Sequence, residues 1–114
     1  QVHGAAVHDA DSAAGGAVPP RADAVVSARA GTVCAVMVAD CMPVLLASAY
    51  GSAVCAAHAG WRGLAGGVLE AGVDAIRTRA PRADIVAWLG AAIGPTAFEV
   101  GPEVRDLFCD HDPR

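Results

Sequence analysis

Short apolar runs, separated by glycine, proline and aspartate, recur along the chain. The runs at 24–27, 44–47, 53–57 and 85–89 are rich in valine, leucine, isoleucine and alanine, and their length and composition are typical of buried strands. The run at 32–39, TVCAVMVA, is β-branched and has no polar face. We predict that this run forms a strand covered on both sides.

The remaining segments indicate helices, turns and a long loop. Apolar positions at helical spacing predict one helix at about 64–79, although its glycines mean that tertiary packing must stabilise it. A short helix is predicted at 102–108, with a proline in its first turn. Residues 4–22 are rich in alanine, glycine, aspartate and proline, which indicates a loop, and residues 50–52 (YGS) indicate a turn. Pro43 is predicted to mark a bend or a sheet edge.

These elements indicate a mixed α and β fold in which strands outnumber helices. Periodicity alone does not distinguish a layered α+β sandwich from a doubly wound sheet. A length of 114 residues limits the chain to a single domain. The chain opens with Gln1 and its first residues already belong to a candidate site, so we interpret residues 1–114 as an incomplete part of a larger domain. Trp88, inside the apolar run at 85–89, is predicted to lie in the core.

The composition and charge of the chain exclude several classes of protein. Hydrophobic residues make up 54% and charged residues 18%, which excludes long disorder. A net charge of −4 and few aromatic residues argue against nucleic acid or an anionic membrane surface as a partner. The apolar stretches are too short to span a bilayer. The four cysteines fit no compact disulfide framework, so we predict reduced thiols and a cytoplasmic protein.

Two predicted strand ends and the N-terminal segment supply three polar residues that suit a metal site. One strand end closes with Ala39-Asp40-Cys41 and the other ends at His58, so Cys41 and His58 meet at one edge if these strands pair. His3 would add a second imidazole. One thiolate and two imidazoles leave a fourth position open, as in catalytic sites, and suit zinc or copper. A buried thiol, a hydrogen-bonded core histidine and an exposed terminal histidine are the structural alternatives for these residues.

A family resemblance rests on four segments of the chain, which are QVHG (1–4), ADCMPVLLAS (39–48), AAHAGWRGLAGGVLE (56–70) and GAAIGPTAFEVGPEVRDLF (90–108). In this order they resemble the YfiH-type family, also called the peptidoglycan editing factor or laccase-domain family. The resemblance implies an α+β layered sandwich of mixed sheets with flanking helices, of which this chain is the central part. It also implies that His3, Cys41 and His58 hold the metal.

The same resemblance implies a purine nucleoside phosphorylase that acts on adenosine, inosine and methylthioadenosine and that also deaminates adenosine. Zinc with an open position lowers the pKa of bound water, and the resulting hydroxide could attack the amino-bearing carbon of adenine. We expect Arg62 to bind phosphate, Trp61 to stack on the purine, and Asp40 to shuttle a proton or orient Cys41. Alternatively, Arg62 braces a loop or pairs with Asp40, Trp61 packs that loop, and Asp40 is a turn residue.

The sequence is also compatible with three other functions. The older family name implies a copper-dependent polyphenol oxidase, although a chain with four histidines offers few imidazoles for several copper ions. A metal-independent cysteine hydrolase would use Cys41 as nucleophile and His58 as base, with Asp40 or His3 orienting the base. A metal-stabilised interaction module would unfold when the metal is removed.

Overall fold

Five strands form one mixed sheet in the computed structural model, which describes residues 1–12 and 18–111. The elements are β1 (Val7–Asp9), β2 (Ala24–Ser27), β3 (Met42–Ser48), β4 (Val54–Ala59), α1 (Trp61–Ala65), α2 (Val68–Arg79), β5 (Ile85–Leu89) and α3 (Pro102–His111). The strand order is β1-β2-β4-β3-β5, with β1 parallel to β2 and every other pair antiparallel. This mixed sheet with helices confirms the predicted α+β class.

The core lies between one face of the sheet and helix α2. Fully buried side chains from the strands meet Val68 and Ile76 of the helix. Gly72 permits the close approach, because a Cβ there would lie 3.1 Å from Leu46 Cδ1 and 3.3 Å from Cys55 Sγ. Since side chains alternate along a strand, Leu46 and Cys55 identify the positions that face α2, and their neighbours in sequence face the other way.

The helix predicted at 64–79 is two helices. Helix α1 ends at Ala65, and α2 begins at Val68. Gly67, between them, has φ +85°, a conformation that glycine adopts without steric cost. The apolar spacing continues across this break, so the pattern alone did not reveal it.

Most predicted strands and turns are present, and their limits are close to the predicted ones. The strands at 24–27 and 85–89 have the predicted bounds. Strand β3 is longer than predicted at both ends, and β4 begins one residue later and ends two residues later than predicted. Gly51, in the predicted turn, has φ +71°, and its amide donates to the Ser48 carbonyl. Strand β1 was missed because it lies inside the predicted loop at 4–22, of which residues 13–17 lie outside the described residues. Pro43 lies inside β3, one position before the pairing with β5 begins, as a sheet-edge proline should.

Two predictions about buried segments are wrong. Residues 32–38 do not form a strand, and Val33 and Met37 are 84% and 83% exposed. Trp88 is 60% exposed because it lies on the face of β5 that points away from α2. The described residues leave much of that face open. None of the helices in the described part of the chain has the length and apolar character needed to cross a bilayer.

Candidate metal centre

The pairing of β3 with β4 brings Cys41 and His58 to one end of the sheet. Pro43 lies opposite His58, and the same register places Cys41 opposite Gly60. Alternation then puts Cys41 and His58 on the same face, the one that points away from α2. His58 is 4% exposed, and Cys41 is partly buried.

His3 completes this group from the N-terminal loop. The ligand atoms of His3, Cys41 and His58 all lie within 4.8 Å of one another, and this is the one potential metal-binding group of three or more such side chains among residues 1–12 and 18–111. The two imidazole rings meet edge to face, with centroids 4.8 Å apart. His3 is exposed, so the group is accessible from solvent on that side.

Asp23 lies behind the group and was missed by the sequence analysis. The register pairs Ala24 with Ala57, so Asp23, just before β2, lies beside His58. Its buried carboxylate accepts hydrogen bonds from His58 Nδ1 at 3.0 Å and from three consecutive backbone amides of the N-terminal loop, those of Val2, His3 and Gly4. An aspartate immediately before a buried strand was the available signal.

The charge on Asp23 is stabilised by these donors. Burial alone would raise the pKa of the carboxyl, but the hydrogen bonds from the Gly4 amide, the His58 ring and the Val2 and His3 amides outweigh it and lower the pKa from 3.8 to about 2. Because Nδ1 of His58 is hydrogen-bonded to this carboxylate, Nε2 is the nitrogen left for a metal ion. A histidine oriented by a carboxylate in this way is the common arrangement at metal sites.

The donor set and the space between the donors both fit a metal ion. One sulfur and two imidazole nitrogens are ligands that zinc and copper prefer. Gly60 leaves room beside them, because a Cβ there would lie 3.0 Å from Cys41 Sγ, 3.2 Å from His3 Cδ2 and 3.7 Å from His58 Cε1. The lack of a side chain at position 60 therefore leaves space next to the three candidate ligands.

The other predicted site residues are close in sequence to two members of this group, Asp40 to Cys41 and Trp61 and Arg62 to His58. Trp61 and Arg62 follow Gly60 at the start of α1, and the Arg62 guanidinium lies over the Trp61 ring, 4.1 Å from its centroid. Arg62 is exposed and forms no ion pair with Asp40 or with any other carboxylate of the described residues. The exposed Asp40 precedes Cys41, and its carbonyl accepts a hydrogen bond from the Ile93 amide.

Comparison with known proteins identifies the family. A model described as multi-copper polyphenol oxidoreductase laccase matches residues 1–114. The chain belongs to this laccase-domain, YfiH-type family. It is 54% identical to a purine nucleoside phosphorylase of Pseudomonas aeruginosa over 108 residues. This aligned region covers 95% of this chain and 42% of that protein. It is 56% identical to the purine nucleoside phosphorylase YfiH of Escherichia coli over 94 residues. This second aligned region covers 82% of this chain and 38% of that protein.

Solved structures of the family have the same fold. A crystal structure of a Neisseria meningitidis protein matches with a TM-score of 0.85 at 47% identity, over 98% of this chain and 45% of that one. The crystal structure of YlmD from Geobacillus stearothermophilus matches with a TM-score of 0.83 at 34% identity, over 94% of this chain and 43% of that one. The chain therefore spans less than half the length of the relatives it matches.

Proposed function

We propose that the protein is a metal-dependent purine nucleoside phosphorylase that acts on adenosine, inosine and methylthioadenosine and that also deaminates adenosine. The observation that carries the proposal is the convergence of His3, Cys41 and His58 within 4.8 Å. The names of the Pseudomonas and Escherichia relatives support the phosphorylase activity. The free state of the described cysteines supports a reducing compartment, and we therefore propose a cytoplasmic enzyme.

Both reactions need stabilisation of charge on the purine. In phosphorolysis, a phosphate oxygen bonds to C1′ of the ribose while the bond from C1′ to N9 breaks, and the base leaves with the electron pair and takes up a proton. In deamination, water adds at C6 of adenine and ammonia leaves, which gives inosine. Zinc, or alternatively copper, bound by the three side chains would supply Lewis-acid stabilisation of the developing negative charge.

The proposed roles of the neighbouring residues follow from their positions and chemistry. Arg62 binds phosphate, because its exposed guanidinium has the planar fork that recognises phosphate oxygens. Trp61 stacks on the purine or, with Arg62 on its ring, forms one side of the substrate pocket. Asp40, exposed and adjacent to Cys41, moves the proton between substrate and solvent.

The test measures metal content and turnover together. Cys41→Ser and His58→Ala are expected to lose bound metal, phosphate-dependent release of base from each nucleoside, and ammonia release from adenosine. The matched controls Cys109→Ser, at an exposed thiol on α3, and His8→Ala, on β1, should retain all three. Variants that lose the metal but keep full turnover would contradict the proposal. Oxygen uptake with a phenol by the copper-loaded protein would instead support a polyphenol oxidase.

The hydrogen bond between Asp23 and His58 favours a second candidate, a metal-independent cysteine hydrolase. In this candidate Cys41 is the nucleophile, His58 is the base, and Asp23 is the acid that orients the base, as in such enzymes. The orienting role therefore falls to Asp23 and not, as predicted from the sequence, to Asp40 or His3. Amide or ester hydrolysis that survives complete metal removal and is abolished by alkylation of Cys41 would support this candidate over the first.

A further inference from the structure

The carboxylate of Asp23 contacts two of the three segments that supply the candidate ligands. It accepts hydrogen bonds from the His58 ring on β4 and from the backbone around His3. We propose that Asp23 is the positioning residue of the metal site, which selects the metal-binding tautomer of His58 and holds His3 against it. This inference rests on the metal site of the proposed function.

The first step concerns the His58 ring. In a neutral imidazole one nitrogen carries the proton and the other offers a lone pair. Because the Asp23 carboxylate only accepts hydrogen bonds, Nδ1 of His58 must carry the proton that it donates across 3.0 Å. The lone pair is then at Nε2. His58 is therefore ready to bind a metal ion without a change of tautomer.

The second step concerns the loop that carries His3. The amides of Val2, His3 and Gly4 all donate to Asp23, at distances of 2.8 to 3.1 Å. His3 has φ +58°, a left-handed conformation that is uncommon for a residue with a side chain. Such a conformation persists only where the surroundings enforce it. These three bonds to one buried carboxylate enforce it, and so they place the His3 ring beside His58.

Both steps imply that the site is organised before the metal arrives. An exposed loop without these bonds would have to be ordered on binding, and that ordering would reduce metal affinity. The substitution Asp23→Asn keeps the size of the side chain but replaces one accepting oxygen with an NH₂ group. This NH₂ group is itself a donor, and it would face the backbone amides and the ring N–H that donate to Asp23. Loss of a carboxylate that orients a metal-binding histidine typically reduces metal affinity by about 10- to 100-fold.

The experiment compares Asp23→Asn with Asp11→Asn in the intact protein. Asp11 is a matched control, because it also accepts hydrogen bonds from one side chain, Ser27, and one backbone amide, that of Ala28, but lies at the other end of β2. Zinc affinity is measured by competition with a chromophoric chelator. The protonated nitrogen of the His58 ring is identified in the metal-free wild-type protein by long-range ¹H–¹⁵N correlation, which distinguishes Nδ1 from Nε2.

The outcomes separate this inference from the proposed function. We expect Asp23→Asn to lose about 10- to 100-fold in zinc affinity, Asp11→Asn to stay within about threefold of wild type, and His58 to carry its proton on Nδ1. Zinc binding by Asp23→Asn within threefold of wild type would overturn the inference alone. A wild-type protein that binds no zinc would overturn the proposed metal site itself. If Asp23→Asn does not fold, the wild-type spectrum decides, and a proton on Nε2 overturns the inference.

Discussion

The two ends of strand β2 each have an aspartate that accepts several hydrogen bonds, but the two aspartates differ in what they hold. Asp23, before the strand, is fully buried and binds the His58 ring and the N-terminal loop. Asp11 is partly exposed and binds the Ser27 hydroxyl and the Ala28 amide at the end of the strand. The same chemistry therefore organises a candidate active site at one end and closes a loop at the other.

This difference shows that the partners and burial of a carboxylate distinguish its role better than its pKa does. Hydrogen bonds lower the pKa at both ends, mainly through the Ser27 hydroxyl and the Ala28 amide in the case of Asp11. Of the two aspartates, Asp23 is the one that contacts the candidate metal group. The following changes test this contrast, and they are arranged from the largest expected effect to the smallest.

Asp23→Asn should reduce the free energy of unfolding far more than Asp11→Asn. The substitution replaces one accepting oxygen, so part-buried backbone donors of the N-terminal loop and the buried His58 ring lose hydrogen bonds, which together should cost about 3 kcal/mol. Asp11 is partly exposed, so water can replace its lost hydrogen bonds and the effect should be smaller. Denaturant unfolding of both variants without metal measures the difference. Equal losses would remove the contrast between the two ends.

Gly60→Ala should reduce zinc affinity by about 10- to 100-fold while the protein stays folded. The backbone at Gly60 has φ −72° and ψ 160°, which alanine adopts readily, so the effect is steric. Its Cβ would crowd Cys41 Sγ at 3.0 Å. Gly94→Ala is the matched control, because nothing lies within 4 Å of its added Cβ. Unchanged zinc affinity in Gly60→Ala would show that the metal does not use the space beside Gly60.

The sequence predicted the convergence of the three candidate ligands but not the residue that organises them. Cys41 and His58 flank two apolar runs joined by a turn, so local patterns were enough to bring them together. The contact of His58 with Asp23 depends on the pairing of β2 with β4, which are separated by β3 along the chain. Pairing between strands that are distant in sequence follows from the whole sheet, which no local pattern specifies.

The wrong predictions of burial have a related cause. The apolar residues of 32–39 and Trp88 indicate surfaces that are suited to burial, but burial also needs an element that covers them. In the described part of the chain, α2 covers one face of the sheet, and Trp88 and Leu45 lie on the other. The break between α1 and α2 was missed for a different reason, because Gly67 interrupts the backbone without interrupting the apolar spacing.

Acid should destabilise the metal-free wild-type protein more steeply than it destabilises Asp23→Asn. The pKa of Asp23 falls from 3.8 in the unfolded chain to about 2 in the folded protein, because hydrogen bonds outweigh the opposing effect of burial. Its contribution to stability is therefore complete above pH 3.8, declines as the pH falls, and is lost below about pH 2. Asn does not titrate, so denaturant unfolding between pH 4 and pH 2 should show a shallower decline in the variant. Parallel declines would contradict the assigned shift.

Ser27→Ala should have the smallest effect and should leave the metal site intact. The buried Ser27 hydroxyl donates to Asp11 and accepts a hydrogen bond from the Arg29 amide, so its loss should cost about 1 kcal/mol in the free energy of unfolding. Ser12→Ala, which removes an exposed hydroxyl that donates to a carbonyl, is the control and should cost less. Zinc affinity should match wild type in both variants, because neither side chain contacts a ligand or Asp23. A fall in zinc affinity in Ser27→Ala would show that the two ends of β2 are coupled, and Asp11 would then share in organising the site.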